Sequence, residues 1–193
     1  LCNGVWTNYT GIKTFTTASL QPPTGYCASN GSDATYEYIN NVQIGSINNT
    51  SGNNGGYADY TAQSTSAALG ASASVSVTLI KNTATDIEYV SIFVDFNRDG
   101  DFADAGETAY SSNGTQSTFT GTITVPASAS IGLTRMRVSM QYAAAPPACG
   151  TYTYGEVEDY LLNITGGPLY ASRNTDELEV DDQTAVSISP NPV

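Results

Sequence analysis

Short runs of alternating apolar and polar residues recur along this chain of 193 residues, separated by clusters of Gly, Asn, Ser and Pro. The sequence has no sustained apolar stripe at the helical period. Alternation with a period of two is typical of strands, and turn-forming clusters mark the ends of such strands. The pattern therefore predicts an all-β fold. The predicted strands are residues 36–44, 57–62, 73–80, 87–96, 117–125, 133–142 and 156–164.

This number of strands, joined by turn-rich connections, favours an antiparallel two-sheet β-sandwich, jelly-roll-like, over a helical or α/β fold. The runs "VSIFV" (90–94) and "YLLNI" (160–164) are apolar on both faces, which predicts central strands. The run "RMRVSMQY" (135–142) alternates instead, and this predicts a strand with one solvated face.

The length fits one main domain, which we place at residues 25–165. Residues 1–24 are rich in Thr and are predicted to form an N-terminal arm. Residues 166–193 open with Gly-Gly-Pro and carry an acidic cluster at 176–182, as a linker does.

The formal net charge of −12 argues against nucleic acid or an anionic membrane surface as a partner. No apolar run approaches the length needed to span a bilayer, so membrane insertion is not expected. No basic and apolar leader opens the sequence, and we expect an exported, already processed chain.

The chain contains no histidine. This excludes Ser-His-Asp and Cys-His catalysis and the metal sites built on imidazole. Carboxylate-only chemistry, as in glycoside hydrolysis, or no chemistry at all remains.

The cysteines are Cys2, Cys27 and Cys149, an odd number without CxxC spacing, which disfavours a zinc or iron–sulfur site. Cys27 and Cys149 lie in similar surroundings rich in Gly, Pro and Tyr, and we predict a disulfide between them. Closing so long a loop contributes about 4 to 5 kcal/mol in the chain-entropy description. Cys2 is either free or paired with a cysteine upstream in a longer precursor.

The stretch "DFNRDGDFADAGE" (95–107) carries the pattern of a calcium loop. Alternate oxygen ligands with a glycine at the sixth position suit a hard cation, because the turn makes alternate side chains converge. The last acid falls one position later than in an EF-hand, and a strand precedes the loop, so we predict calcium on a β scaffold. An Asx-rich turn that is stabilised by its own backbone is the alternative. The predicted Ca²⁺ ligands are Asp95, Asn97, Asp99, Asp101 and Glu107.

A second acidic cluster lies in "YGEVEDYLL" (154–162), and "GYADYT" (56–61) repeats its Asp-Tyr step. In a strand, Asp159 shares a face with Val157 and Leu161, so we expect it on the apolar side. A buried carboxylate there needs a partner: the calcium, a tyrosine hydroxyl, an arginine or backbone amides. The candidates for a further metal or structural role are Asp59, Glu156, Glu158 and Asp159.

Five segments together resemble the GEVED domain over about residues 25–165: "YEYINNVQIG", "GGYADYT", "VSIFVDFNRDGDFADAGE", "VPASASIGLTRMRVSM" and "CGTYTYGEVEDYLL". The resemblance implies a secreted β-sandwich accessory module of multidomain bacterial proteins, found beside peptidase, glycoside-hydrolase and adhesin domains, with calcium in its Asp/Asn loop. The closing "SISPNPV" is similar to the start of a type IX secretion C-terminal sorting domain. That similarity implies export to the surface of a Gram-negative bacterium.

Tyrosine is abundant, at 13 residues. Flat aromatic faces beside amides and carboxylates are what sugar rings contact. The alternative is that tyrosine is an ordinary strand residue with a buried ring. The predicted ligand-binding residues are Tyr57, Tyr142, Tyr152 and Tyr154, with Trp6 in the arm.

These features lead to a hypothesis of a non-catalytic, calcium-binding module that binds polysaccharide and keeps an attached catalytic domain near its substrate. One alternative is a structural or protein-interaction module, such as an adhesin element or spacer. The other is a glycosidase that uses Glu156 with Glu158 or Asp159. Glycosidases oppose two acids across a cleft, whereas these residues are neighbours in one strand, so we do not expect an enzyme.

Overall fold

The computed structural model describes residues 21–167, and within that range the chain is all-β, without a helix. No membrane-spanning helix is therefore found among these residues. The predictions for Cys2, Trp6, the acidic linker and the sorting-domain similarity lie outside the described residues.

The described range contains ten strands, which form two sheets. The strands are β1 (Ser29–Asp33), β2 (Tyr38–Ile44), β3 (Ile47–Thr50), β4 (Tyr57–Ala68), β5 (Ser72–Ile80), β6 (Glu88–Val94), β7 (Thr108–Gly114), β8 (Thr118–Thr124), β9 (Gly132–Tyr142) and β10 (Gly150–Thr165).

The larger sheet has six strands in the order β1-β10-β9-β6-β7, with β4 also paired to β10. The smaller sheet has the order β3-β2-β5-β8. The two sheets enclose one apolar core, to which β6 contributes Val90 and Ile92 and β5 contributes Val75 and Val77. The predicted two-sheet sandwich with one core is thus confirmed.

The pairing differs from the prediction at β10, because two of its neighbours run parallel to it. The first part of this 16-residue strand pairs with β1 and the later part with β4, both in parallel. The other strand pairs are antiparallel. A parallel pair needs a long crossover connection, and such a connection leaves no mark in the local alternation of residues.

All seven predicted strands are present, and β6 and β10 are central in their sheet as predicted. The prediction missed β1, β3 and β7, whose polar sequences SNGSD, INNT and TAYSSNG carry little apolar alternation.

The solvated face predicted for β9 is partly exposed at Arg135 and Gln141, but the prediction was wrong for the middle of the strand. Arg137 and Ser139 on that face are 1% and 0% exposed. The segment before β1 and the loop after β6 cover them: Arg137 donates to the Cys27 carbonyl and lies against the Phe102 ring.

Candidate functional site

The glutamates of the GEVED segment face the core between the sheets. Glu156 and Glu158 alternate with Val157 and Asp159 along β10, and Tyr160 on the glutamate face belongs to the core cluster. The expectation that Asp159 lies on the apolar side was therefore wrong. Asp159 points to the outer face of the sheet, where β9 supplies two arginines.

Glu156 ties the two sheets together. It is fully buried, and its carboxylate accepts hydrogen bonds from the backbone N–H groups of Ile39 (3.0 Å) and Asn54 (2.6 Å). Burial raises the pKa of Glu156, and these N–H donors act against that rise. The Glu156 side chain therefore has a structural role and links β10 of one sheet to β2 of the other.

Glu158 is also fully buried, beside the Tyr160 hydroxyl, which donates to it at 2.7 Å. Burial raises the pKa of Glu158 to about 7, although hydrogen bonds from neighbouring hydroxyl groups oppose the rise. The Tyr160 hydroxyl in turn accepts a hydrogen bond from Asn49.

Asp159 forms a bidentate ion pair with Arg137, at 2.7 Å from Nε and 2.8 Å from Nη2. Arg135 and the Tyr57 hydroxyl also bond it. The expected partners of this carboxylate, an arginine and a tyrosine hydroxyl, are thus found. Arg137 Nη1 also donates to the carbonyls of Cys27 and Ala148. The ion pair therefore contacts both chain segments that a covalent cross-link joins.

That cross-link is the predicted disulfide between Cys27 and Cys149, with Cα atoms 5.5 Å apart. It fastens the segment before β1 to the segment before β10.

Asp59 lies directly beside Asp159 in the parallel β4–β10 ladder, so the repeated Asp-Tyr step is a pair of neighbours in the sheet. The environments differ, however. Asp59 is exposed and accepts the Thr61 N–H, whose hydrogen bonds lower its pKa.

The loop 95–107 divides the predicted calcium ligands into two groups. Asp95 and Glu107 are buried, and their carboxylates accept hydrogen bonds from inside the protein. Asp95 accepts from the Gly100 N–H and from the Tyr26 hydroxyl, and Glu107 accepts from the Phe96 N–H. These two acids fix the path of the loop.

The second group is exposed at the tip of the loop. The predicted ligands Asp99 and Asp101 lie here with Asp104, which the sequence did not predict as a ligand, and each of the three acids places an oxygen within 4.8 Å of the others. Asn97 Nδ2 donates to Oδ2 of Asp99 at 2.9 Å and to Oδ2 of Asp104 at 2.6 Å, while Asn97 Oδ1 accepts the Asp99 N–H. Carboxylate oxygens are ligands of hard cations, so the three acids Asp99, Asp101 and Asp104 could hold a metal ion.

The loop is coupled to the buried ion pair through stacked side chains. The Phe102 ring lies 5.2 Å from the Tyr26 ring, and the two arginines cover this aromatic pair. Arg135 lies over Tyr26 at 4.6 Å and Arg137 over Phe102 at 5.2 Å. A continuous series of side-chain contacts therefore connects the loop with Arg137, which bonds to Asp159 and to the Cys27 carbonyl.

A separate cleft carries the exposed aromatic side chains. Its volume is about 320 Å³, and it is lined by Tyr36, Glu37, Asn82, Asp86, Tyr142 and Tyr154. The three tyrosines are 51%, 40% and 40% exposed, and the rings of Tyr142 and Tyr154 meet edge to face at 6.5 Å. The cleft thus combines aromatic faces with two carboxylates and one amide.

The predicted ligand-binding tyrosines do not all lie together. Tyr142 and Tyr154 share the cleft, but Tyr57 lines another cavity, with Arg135 and Arg137. The prediction of an exposed Tyr152 was wrong, because it is 8% exposed and donates to the Glu156 carbonyl.

Sequence reasoning missed the other cleft residues. Tyr36 and Glu37 were assigned to a strand, whereas the strand begins at Tyr38. Asn82 and Asp86 belong to a polar turn after β5. Their only local signal is the turn-rich run "KNTATD" at 81–86, which gives no indication of the strands that meet there.

Fold and site define a β-sandwich module that is held together by buried carboxylates and a disulfide. The family model described as GEVED domain matches residues 89–163. The matched range includes the loop 95–107 and the residues Gly155 to Asp159, and it is shorter than the range of the expected resemblance. No curated protein matches the chain.

Proposed function

We propose that the chain is a non-catalytic, calcium-binding accessory module of a secreted multidomain bacterial protein. In this proposal it binds polysaccharide and holds an attached catalytic domain close to its substrate. The observation that carries the proposal is the cleft with the exposed rings of Tyr36, Tyr142 and Tyr154.

The side chains of this cleft suit a sugar. A pyranose has apolar faces that stack on aromatic rings, and its hydroxyl groups bond to amides and carboxylates. Asn82, Glu37 and Asp86 offer these polar groups beside the tyrosines. The volume of the cleft lies at the lower end of the range of known ligand sites.

Calcium in this proposal is held by Asp99, Asp101 and Asp104, with Asn97 beside them. The ion neutralises the repulsion between these acids and stiffens the loop, which Asp95 and Glu107 position from inside. The Phe102 ring then transmits this order to Arg137 and to the disulfide.

Export of the protein is supported by the disulfide, since such bonds persist in oxidising compartments. We propose a location outside the cell or at the surface of a Gram-negative bacterium, by type IX secretion. That route rests on the similarity of residues 187–193 to a sorting domain.

One observation favours a second candidate, a carboxylate-only glycosidase. Glu37 and Asp86 line the same cleft, and burial raises the pKa of Glu37, as in a general acid. Against this, the Asp86 carboxylate accepts the Thr83 N–H and so holds the turn. The acids that the sequence suggested for hydrolysis, Glu156 and Glu158, are buried in the sandwich.

Calorimetry or affinity electrophoresis against a panel of neutral, amino and acidic polysaccharides tests the proposal. Tyr142→Ala should weaken binding roughly tenfold, since an aromatic contact contributes about 0.5 to 1.5 kcal/mol. Tyr57→Ala is the matched control, because this ring is 38% exposed but lies in the other cavity. Absence of binding to every polysaccharide would refute the proposal and favour a structural or protein-interaction module.

Release of reducing sugar by the isolated chain separates the two candidates. A binding module releases none, and its Glu37→Gln variant shows no change in this assay. Release that disappears in Glu37→Gln would establish the glycosidase instead.

A further inference from the structure

The charged side chains that line the tyrosine cleft are both acidic, and neither Lys nor Arg is among the described residues that line it. Glu37 belongs to the cleft lining although it is only 4% exposed. The cleft is therefore a pocket of negative charge with aromatic walls.

A further carboxylate, that of Glu88, does not line the cleft but lies close enough to Glu37 and Asp86 for their charges to interact. Glu88 is 0% exposed and points inward from the face of β6 that carries Val90 and Ile92. Neither of its carboxylate oxygens has a hydrogen-bond partner among the described residues. A buried acid without a partner is costly, and a nearby positive charge removes that cost.

One ammonium group, that of Lys81 after β5, lies near Glu88, and its charge opposes the rise in the Glu88 pKa. The same ammonium group donates to the carbonyls of Asp86 and Thr115. The other charged groups near Glu37 and Glu88 are the acids Asp33 and Asp86. Among the charged groups that affect the pKa values of Glu37 and Glu88, acids therefore outnumber basic groups.

We propose that the ligand of this cleft carries a positive charge and is an amino-bearing glycan, such as a polymer of glucosamine. The inference rests on the proposed glycan-binding function and narrows it to one class of sugar. The ammonium group lies beside Glu37 and Asp86, where it also benefits from the faces of the tyrosine rings. The sugar ring stacks on Tyr142 or Tyr154, as in the general proposal.

The same arrangement disfavours the other classes of glycan. A uronic or sulfated sugar would add negative charge to a cleft that holds two acids, in a chain with a net charge of −12. A neutral sugar fits the tyrosines but brings no positive charge to the acids Glu37 and Asp86 that line the cleft. Acetylation of the amine removes its charge and keeps the sugar backbone, so acetylated and free amines form a matched pair of ligands.

The test uses three hexasaccharides of equal length: glucosamine, N-acetylglucosamine and the trimethylated amine, whose charge does not depend on pH. Calorimetry with the full chain should show at least about tenfold tighter binding of the two charged forms. Added salt should weaken that preference, because the cleft is open to solvent. For the trimethylated form, the affinity should rise as the pH rises through 7, because burial and the neighbouring Glu37 raise the pKa of Glu88 to about 7.

Two variants test whether the preference for charged amines arises in the cleft. Glu37→Gln should reduce binding of glucosamine to the level of N-acetylglucosamine and leave the latter unchanged. Asp59→Asn removes the same charge from an exposed strand position outside the cleft, and it should have no effect. If Glu37→Gln fails to fold, the salt dependence of the wild-type chain still tests the inference.

Equal affinity for the acetylated and free amines overturns this inference and leaves the glycan-binding function intact. Equal affinity for tetralysine shows that the cleft binds cationic peptides, and this also overturns the assignment to a sugar. Absence of binding to every saccharide in the wider panel defeats both proposals together.

Discussion

Replacement of Glu88 by Gln tests whether the pKa of this buried carboxyl is raised in the folded protein. Glu88 lies at the start of β6, fully buried, with no hydrogen-bond partner among the described residues for either carboxylate oxygen. Burial, together with the neighbouring Glu37, raises the pKa of Glu88 from 4.5 to about 7. Glutamine has nearly the same shape and no charge, so it removes the titration and little else.

The direction of the pKa change determines whether stability rises or falls with pH. A carboxyl with a raised pKa binds its proton more tightly in the folded state, so its contribution to stability is complete below pH 4.5. That contribution is lost as the pH rises through about 7. The difference between the two pKa values corresponds to about 3 kcal/mol in the free energy of unfolding.

The wild-type chain should therefore lose about 3 kcal/mol relative to Glu88→Gln between pH 4 and pH values well above 7. A constant cost for burying the amide cancels in this comparison, since it does not depend on pH. Urea unfolding, followed by circular dichroism at several pH values with the disulfide intact, measures the difference.

Asp59→Asn is the control for this experiment. Its hydrogen bonds with Thr61 lower the pKa of Asp59, so its contribution should change with pH in the opposite direction. The reasoning on Glu88 fails if the difference in stability between wild type and Glu88→Gln is the same at every pH.

Three further predictions concern the loop, the disulfide and the ion pair. Removal of calcium by a chelator should lower the melting temperature, because an ion at 100 times its Kd adds about 2.7 kcal/mol; Asp101→Asn should reduce this response, and an unchanged melt with no ion in elemental analysis would contradict the metal assignment. Cys149→Ser should cost about 2 to 5 kcal/mol in urea unfolding, and a loss well below this range would show that the cross-link contributes little. Arg137→Met should destabilise the fold by about 3 to 5 kcal/mol, because Asp159 remains buried without its main partner; a loss below about 1 kcal/mol in the same assay would show that Arg135 and Tyr57 suffice to hold it.

Much of the fold could be predicted from local alternation. Central strands such as β6 carry apolar residues on both faces, and these residues fill the core whatever the topology. The disulfide could be predicted as well, because Cys27 and Cys149 share similar surroundings and Cys2 lies far out in the arm.

The rest depends on contacts that are distant in sequence. The parallel pairing of β4 with β10 joins residues about a hundred positions apart, and no local pattern encodes it. The same holds for the orientation of Asp159. The alternation of Val157 and Leu161 suggested an inward face, but the arginines of β9, covered by Phe102, make the outer face a buried one too.

The candidate cleft shows this limit most clearly, because its six lining residues come from four separate places in the sequence. Tyr142 and Tyr154 could be predicted as exposed from the turns beside them. Glu37 could not, since its place in the cleft depends on residues that are distant in sequence, and its charged neighbour Glu88 comes from the other sheet.

The family match covers much of the framework of this module but only two of the six residues that line the candidate cleft. Within the matched range, Gly155 has a positive φ of 135°, and a Cβ at this position would collide with the Met140 carbonyl. Glu156 holds the two sheets together, and Asp159 holds the disulfide in place through Arg137. These are structural roles, satisfied by donors inside the protein. Four of the six cleft residues, Tyr36, Glu37, Asn82 and Asp86, lie before residue 89 and outside the match. A chain can therefore keep the whole GEVED segment and still bind a different ligand, or none, and specificity has to be read from the strand ends that the match leaves out.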